Sequence, residues 1–505
     1  MTLVSKTHLG PKLFYISAIL LACSSLATAA PAGDKVDLSQ LPQIPPGIND
    51  TIYSGYLNVT ETRKYHYVFV ESRRNPQTDA VILWLNGGPL CSSMIGFIYE
   101  NGPFAMDDGG HTFFKNNYSW NEVANVIYLE SPAGVGYSYA GTPQDQYWDD
   151  KNTTADSLAA MVIWYSLFPE YKSNPLYIAG ESYAGVYVPY LAVYIHNYNM
   201  NATTLPENKI NFKGIAVGNA CTNYNFDCDP SDWDVYFRFN LYSPEIRAAY
   251  SKECPPNDYF DPVSPACSAI YAEILSLLSY VNKYDLMRKC TYNTSNSGQD
   301  HHSEKVEVKK SSGHQYARFM RELVRERYPA FAPAYDGPDC TDMSGGEAWM
   351  NLNATREALH IMPEIGSFVS CSSTESYHVD FANASYWAYP ILINNGYKIM
   401  VYSGDTDGIV PTLGSIRWIQ QLRKDMHLSV LSPWRQWYYT PADGAPTSPS
   451  QVAGYIEVSQ GISLVTVKGV GHLVPQWARD RALTLINNFV YDLPFNTTNP
   501  NPSMQ

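Results

Sequence analysis

The sequence predicts an α/β fold, a doubly wound and mostly parallel sheet interrupted by an inserted cap. Three observations carry this expectation. Apolar runs bounded by Gly, Pro and Asn recur at 81–85, 125–129, 176–179, 213–217, 398–402 and 463–467, and they are continuous rather than alternating, as strands buried on both faces must be. Helical patterns fall between several of them, for instance at 155–167 and 182–198, and strands alternating with helices give a parallel sheet. From about 221 to 348 the strand rhythm stops, and strands resume afterwards, which makes this stretch an insertion into one sheet.

Residues 1–30 carry Lys6, His8 and Lys12, an apolar run over 13–26, and the small residues Ala27-Thr28-Ala29-Ala30. This is the pattern of a secretory signal with its cleavage site, and the run is too short for a comfortable bilayer span. Leu20-Leu21-Ala22-Cys23 also resembles a bacterial lipoprotein site, but the sequons argue against it. Asn-x-Ser/Thr occurs at Asn49, Asn58, Asn117, Asn152, Asn201, Asn293, Asn353, Asn383 and Asn496, more than a cytosolic chain would need. Residues 31–505 are then expected to form one domain with the cap inserted at about 221–348.

The 505 residues are 45% hydrophobic, 16% charged and 14% aromatic, a globular composition with ample core. A formal charge of -14 excludes the basic footprint of a nucleic-acid or anionic-membrane binder. Nine cysteines are present, and loss of Cys23 with the signal leaves an even number, which behind a signal peptide implies disulfides. Cys221, Cys228, Cys254, Cys267, Cys290 and Cys340 lie in the cap and are expected to pair within it, in a connectivity the sequence leaves open. No cysteine or histidine spacing fits a metal site. The polar run 298–310 reads as a solvated, protease-sensitive loop, and the polar tail 495–505 carries no membrane anchor.

The chemistry centres on Gly180-Glu181-Ser182-Tyr183-Ala184-Gly185, which follows the apolar run at 176–179 and opens a helical pattern. A serine hydroxyl becomes a nucleophile when a tight turn projects it, a base takes its proton and amide donors await the oxyanion. The small residues 180, 184 and 185 let strand and helix pack closely around such a turn. Two later strands lead into Gly404-Asp405-Thr406-Asp407 and Gly469-Val470-Gly471-His472, giving the chain order Ser182, Asp407, His472 of the hydrolase-type triad. Asp407 is preferred to Asp405 because it lies at the tip of the turn, whereas Asp405 is expected to bond backbone amides.

With these stand Leu83-Trp84-Leu85-Asn86-Gly87-Gly88-Pro89, Cys91-Ser92-Ser93, Glu100-Asn101-Gly102-Pro103 and Ser119-Trp120-Asn121. Leu129-Glu130-Ser131-Pro132-Ala133-Gly134-Val135-Gly136-Tyr137-Ser138, Ile215-Ala216-Val217-Gly218-Asn219 and Ala358-Leu359-His360 follow. Over about 40–490 the chain resembles the serine carboxypeptidases, acid exopeptidases on the α/β-hydrolase fold. The resemblance implies that Gly88 and Tyr183 supply the oxyanion amides, and that Asn86, Gly87, Glu100 and Glu181 bind the substrate's terminal carboxylate. Two carboxyls held close cannot both ionise easily, so a shared proton can be donated to that carboxylate, and recognition weakens as pH rises. It also implies a disulfide between Cys91 and Cys371.

Two positions depart from the pattern. Leu90 stands where Gly is usual, and a left-handed backbone there would cost about 1–2 kcal/mol and could shift the Gly88 amide. Arg479 replaces a Pro and is expected only to alter a helix start. The reading is a secreted, glycosylated, cofactor-free carboxypeptidase acting on peptide C-termini through an acyl-enzyme on Ser182, with a vacuolar or lysosome-like compartment as the alternative. An acyltransferase or esterase on the same scaffold, and a weakly active binding homologue, remain the rivals.

Overall fold

The computed structural model describes residues 31–227, 233–254, 264–290, 340–373, 375–379, 384–439 and 450–495. Its centre is built from β1 (Ile52–Asn58), β2 (Arg63–Val70), β3 (Val81–Leu85), β4 (Asn125–Leu129), β5 (Leu176–Glu181), β6 (Phe212–Gly218), β7 (Lys398–Gly404), β8 (Val430–Tyr439), β9 (Gln451–Ser459) and β10 (Ile462–Val467). They lie in the order β1-β2-β4-β3-β5-β6-β7-β10-β9-β8, with the short strand Tyr139–Ala140 paired to β2. The six middle strands β4, β3, β5, β6, β7 and β10 are parallel. Antiparallel pairs close both edges, β1 with β2 and β2 with β4 on one side, β10 with β9 and β9 with β8 on the other.

The six runs read as buried strands are the parallel ones, and their edges shift by at most two residues. The antiparallel strands carry polar residues interleaved with apolar ones, as in Arg63-Lys64-Tyr65-His66 and Ser432-Pro433-Trp434-Arg435, so they lack the continuous apolar signature. Within β3, Leu83 and Leu85 join one core while Ile82 and Trp84 join another, the period of two that places a core on each face. The first core holds α1 (Asp150–Leu167) and α2 (Ala184–Met200) against the sheet. Asp149 caps α1 by accepting from the Asn152 amide at 2.6 Å.

Parallel neighbours β6 and β7 are joined by the excursion from 219 to 397. Its helices α3 (Trp233–Arg238), α4 (Pro244–Glu253) and α5 (Pro265–Leu277) bury Trp233, Tyr236, Tyr242, Ile274 and Leu275 in a small core of their own. Disulfides join Cys254 to Cys267 and Cys290 to Cys340, and Cys221 is also disulfide-bonded. Cys228, the signal-like residues 1–30, the polar run 298–310 and the sequons at Asn293, Asn383 and Asn496 lie outside the described residues. Asn49, Asn58, Asn117 and Asn353 are exposed, whereas Asn152 is half-buried with its amide donating to Asp149 at 2.9 Å.

Past this excursion, α6 (Thr412–Met426) follows the Asp407 loop and α7 (Arg479–Val490) follows the His472 loop. No described helix is long and apolar enough to cross a membrane.

Candidate active site

The loops that leave the carboxyl ends of β3, β5, β6, β7 and β10 meet in one place, where ligands of open α/β sheets bind. β5 ends at Glu181, and Ser182 sits in the turn before α2 at φ 63°, a left-handed backbone that only a closely packed elbow sustains. That packing is visible in Gly180, where a Cβ would lie 2.4 Å from the Leu85 carbonyl and 2.8 Å from the Ala184 methyl. The Ser182 amide donates to the Gly218 carbonyl and its own carbonyl accepts from Gly185 and Cys221. The elbow is therefore fixed from both flanking strands.

His472 Nδ1 lies 2.7 Å from Asp407 Oδ2, with the histidine 2% and the aspartate 0% exposed. Asp407 accepts three further hydrogen bonds, from the Ile409 and Val410 amides and from Asn219 Nδ2 at 2.8 Å. A carboxylate so surrounded is fixed in its orientation. The imidazole is held in turn by its backbone amide donating to the Tyr284 carbonyl and by the edge of the Tyr284 ring. With Nδ1 engaged, Nε2 is buried and without a partner among the described residues. It borders, together with Ser182, a cleft of about 330 Å³. Asp405 instead accepts from the Gly469 amide, as its place in the turn implied.

The loop after β3 forms the facing wall. Gly88 takes φ 114°, and at Gly87 a Cβ would stand 2.4 Å from the Tyr183 amide, so the loop presses directly on the elbow. Among the described residues neither the Gly88 nor the Tyr183 amide donates to a protein acceptor. The Cys91–Cys371 disulfide, the Leu90 amide donating to the Tyr187 phenol, and paired backbone bonds to Ser370 and Ser372 anchor this loop. Tyr183 is locked by its phenol, which donates to Asp150 at 2.8 Å.

Leu90 does adopt φ 72°. Its side chain is 2% exposed within the core that carries α1 and α2, so burial worth about 2 kcal/mol offsets a backbone cost of about 1–2 kcal/mol.

The acid pair lies beside the elbow. Asn86 Nδ2 donates to Glu100 at 2.8 Å and Glu181 at 3.2 Å, while Asn86 Oδ1 accepts from Trp84 and the Gly96 amide, which fixes the orientation of the amide group. Glu100 ends a single π turn, Gly96–Glu100, and is completely buried. Glu100 Oε2 and Glu181 Oε2 are both buried with no other partner among the described residues, so the two carboxyls act chiefly on each other. Burial pushes Glu100 up to about 7, and burial together with the Glu100 charge raises Glu181 well above the usual range. Asn86, Gly87 and Glu181 line the cleft, whereas Glu100 stands one layer behind them.

Asp150 and Tyr187 were not singled out from the sequence, and Asn219 was named there only as the end of a matching stretch, with no role, although it directly follows the Gly that ends β6. Arg479 is a correction. It does begin α7, but its guanidinium runs inward to the π turn and donates to the Tyr99 carbonyl at 3.0 Å.

A second serine, histidine and carboxylate stand in line elsewhere, with Ser54 Oγ 2.9 Å from His66 Nε2 and His66 Nδ1 2.7 Å from Glu130. All three are fully buried and the Ser54 hydroxyl donates to the Leu359 carbonyl, so it faces no cleft. Glu130 also accepts from the Ser92 hydroxyl and the Tyr137 amide, which makes this cluster a brace for the loop after β3.

A family model described as serine carboxypeptidase matches residues 42–492. The chain is 33% identical to Serine carboxypeptidase-like 20 of Arabidopsis thaliana, over 95% of this chain and 97% of that protein. It is 30% identical to the Lysosomal protective protein of Mus musculus, over 97% and 99%. The crystal structure of a prohormone-processing carboxypeptidase from Saccharomyces cerevisiae superposes with a TM-score of 0.68 at 18% identity, covering 92% of this chain and 97% of that one, and so shares its α/β-hydrolase fold. A match that spans nearly the whole chain, with full-length relatives on both sides of the plant and animal divide, establishes that the chain belongs to the serine carboxypeptidase family.

Proposed function

We propose that this serine-type carboxypeptidase removes C-terminal residues from peptides at acidic pH, with Ser182, His472 and Asp407 as the reacting line. The observation that carries the reading is the buried Asn86–Glu100–Glu181 cluster opening on the same cleft as Ser182 and His472.

Asp407 holds the His472 tautomer whose Nε2 lone pair faces the cleft, so Nε2 can take the Ser182 proton as Oγ attacks the scissile carbonyl. The Gly88 and Tyr183 amides receive the oxyanion. His472 then returns the proton to the leaving amine, and water resolves the acyl-enzyme by the reverse steps. Ser182 Oγ and His472 Nε2 share no hydrogen bond, and a nucleophile–base contact of this kind tightens as substrate binds.

The substrate's terminal carboxylate is met by the Gly87 amide and by Glu181, and Asn86 Nδ2 reaches it by giving up its longer bond, the 3.2 Å one to Glu181. When the pair holds two protons, one bridges Glu100 to Glu181 and the other points from Glu181 into the cleft. Loss of the second proton draws the remaining one back between the carboxyls and leaves a negative charge beside the substrate's own. Recognition therefore falls as pH rises through the region near 7 where Glu100 ionises. Because the carboxylate is held beside the elbow, only the last peptide bond reaches Ser182.

The intact cluster favours a peptidase over a binding homologue. The expected secretion and glycosylation rest on residues 1–30 and the sequons, and the reading of 221–348 as a cap rests on its separate core. The test is Glu181→Gln, which should raise KM for N-blocked dipeptides at least 10-fold at pH 5, where the wild-type pair holds both protons, while an N-blocked amino-acid ester is spared. An equal loss on both substrates removes the carboxylate-binding role.

A further inference from the structure

Arg479 brings a positive charge to the back of the acid pair. Its side chain is 16% exposed, its Nη2 donates to the carbonyl of Tyr99, the residue before Glu100, and its guanidinium lies 4.9 Å from the Phe114 ring centre. Among the described residues Asp107 is the carboxylate in a bridging position, 3.6 Å away and 75% exposed, so solvent screens that pair. Arg479 Nε is buried with no partner among the described residues. None of the catalytic steps uses this group.

From this placement we infer that Arg479 is a positioning residue that sets the upper pH limit of substrate-carboxylate recognition, by holding a desolvated cation behind Glu100. A nearby cation favours the ionised carboxyl, so it makes the pair give up its second proton at lower pH. The other groups facing the pair are Glu181 itself, His472 and Asp407 on the cleft side, and the buried phenols of Tyr128 and Tyr402. Asp107 and Asp108 face Arg479 from the loop after the π turn. Against the rise that burial imposes, Glu100 is lowered first by its hydrogen bonds with Asn86 and Glu181 and then by the charges of His472 and Arg479; His472 is already committed to Asp407, which leaves Arg479 as the cation outside the reacting line. The inference rests on the reading of Asn86, Glu100 and Glu181 as the carboxylate subsite.

The experiment compares kcat/KM against pH for an N-blocked dipeptide and for the matching N-blocked amino-acid ester. In the wild type the dipeptide should show an alkaline limb that the ester lacks. A limb identical on both substrates overturns the carboxylate-subsite reading, and this inference with it. In Arg479→Gln the limb on the dipeptide should move upward by about 0.5–1 pH unit, with the ester profile unchanged and Arg479→Lys remaining near wild type. If Arg479→Gln fails to fold, Arg479→Pro replaces it, since Pro suits the first position of a helix, and it carries the same expectation. A limb that stays in place, a shift common to both substrates, or a Lys variant that moves as far as Gln overturns the role of Arg479 while the wild-type contrast keeps the subsite reading intact.

Discussion

Asn219 shows how much a single buried amide can carry. Its Nδ2 donates to Asp407 and its Oδ1 accepts from the Gly404 amide, so it ties the carboxylate to the end of β7. Asn219→Ala should lower kcat about 10- to 100-fold with little change in KM, the equivalent of one lost hydrogen bond to a charged group. Steady-state kinetics on an N-blocked dipeptide checks this, and a change confined to KM would contradict it. At Leu90 two effects oppose one another. Replacement by Gly relieves about 1–2 kcal/mol of backbone cost but empties a buried site worth about 2–5 kcal/mol, so Leu90→Gly should be less stable by about 1–3 kcal/mol in denaturant unfolding. A more stable variant would show that strain dominates. Ser182, Asp407 and His472 were legible in the sequence because each follows a strand in a fixed order. Asn219, Asp150 and Arg479 were not, because their roles depend on where long side chains reach after folding.

Among the elements, the loop after β3 is the least autonomous. It has no ladder of its own and is held by the Cys91–Cys371 bridge, the Tyr187 phenol and the Glu130 brace. Its amide at Gly88 must nevertheless keep its aim. Removing the bridge with Cys91→Ala and Cys371→Ala should cost about 2–5 kcal/mol of stability and reduce kcat as well. Thermal unfolding beside kinetics reads both, and an unchanged kcat would confine the disulfide to stability. The parallel strands were legible because burial on both faces makes them continuously apolar. The antiparallel edges were hidden because their outer faces are polar, and the π turn that carries Glu100 has no periodicity that distinguishes it from an ordinary helical turn.

For the whole molecule, the same buried carboxyls to which the proposal assigns recognition shape the pH dependence of stability. Burial pushes both Glu100 and Asp227 up to about 7, from ordinary values of 4.5 and 3.8. Between those limits the folded chain binds more protons than the unfolded one, so stability is full below the unfolded values and is lost as pH rises toward 7. Asp79 and Asp145 run the other way. Burial opposes the shift, but hydrogen bonds from Arg74 to Asp79 and from Thr142 and Arg63 to Asp145 hold them low, so their contribution is present above about 4 and lost below it. Tm should therefore peak in mildly acidic solution and fall toward neutrality, and Glu100→Gln should flatten that fall. A Tm that rises from pH 5 to 7 would contradict the protonated pair. The central claim, that a protonated carboxyl pair presents the last peptide bond to Ser182, is tested most directly by release of the terminal amino acid from an N-blocked dipeptide at pH 5, beside the same dipeptide with its C-terminus amidated. The account predicts rapid release from the free acid, at least 10-fold slower cleavage of the amide, and loss of about 10⁴-fold or more in Ser182→Ala. Equal cleavage of acid and amide, or undiminished release by Ser182→Ala, would contradict it.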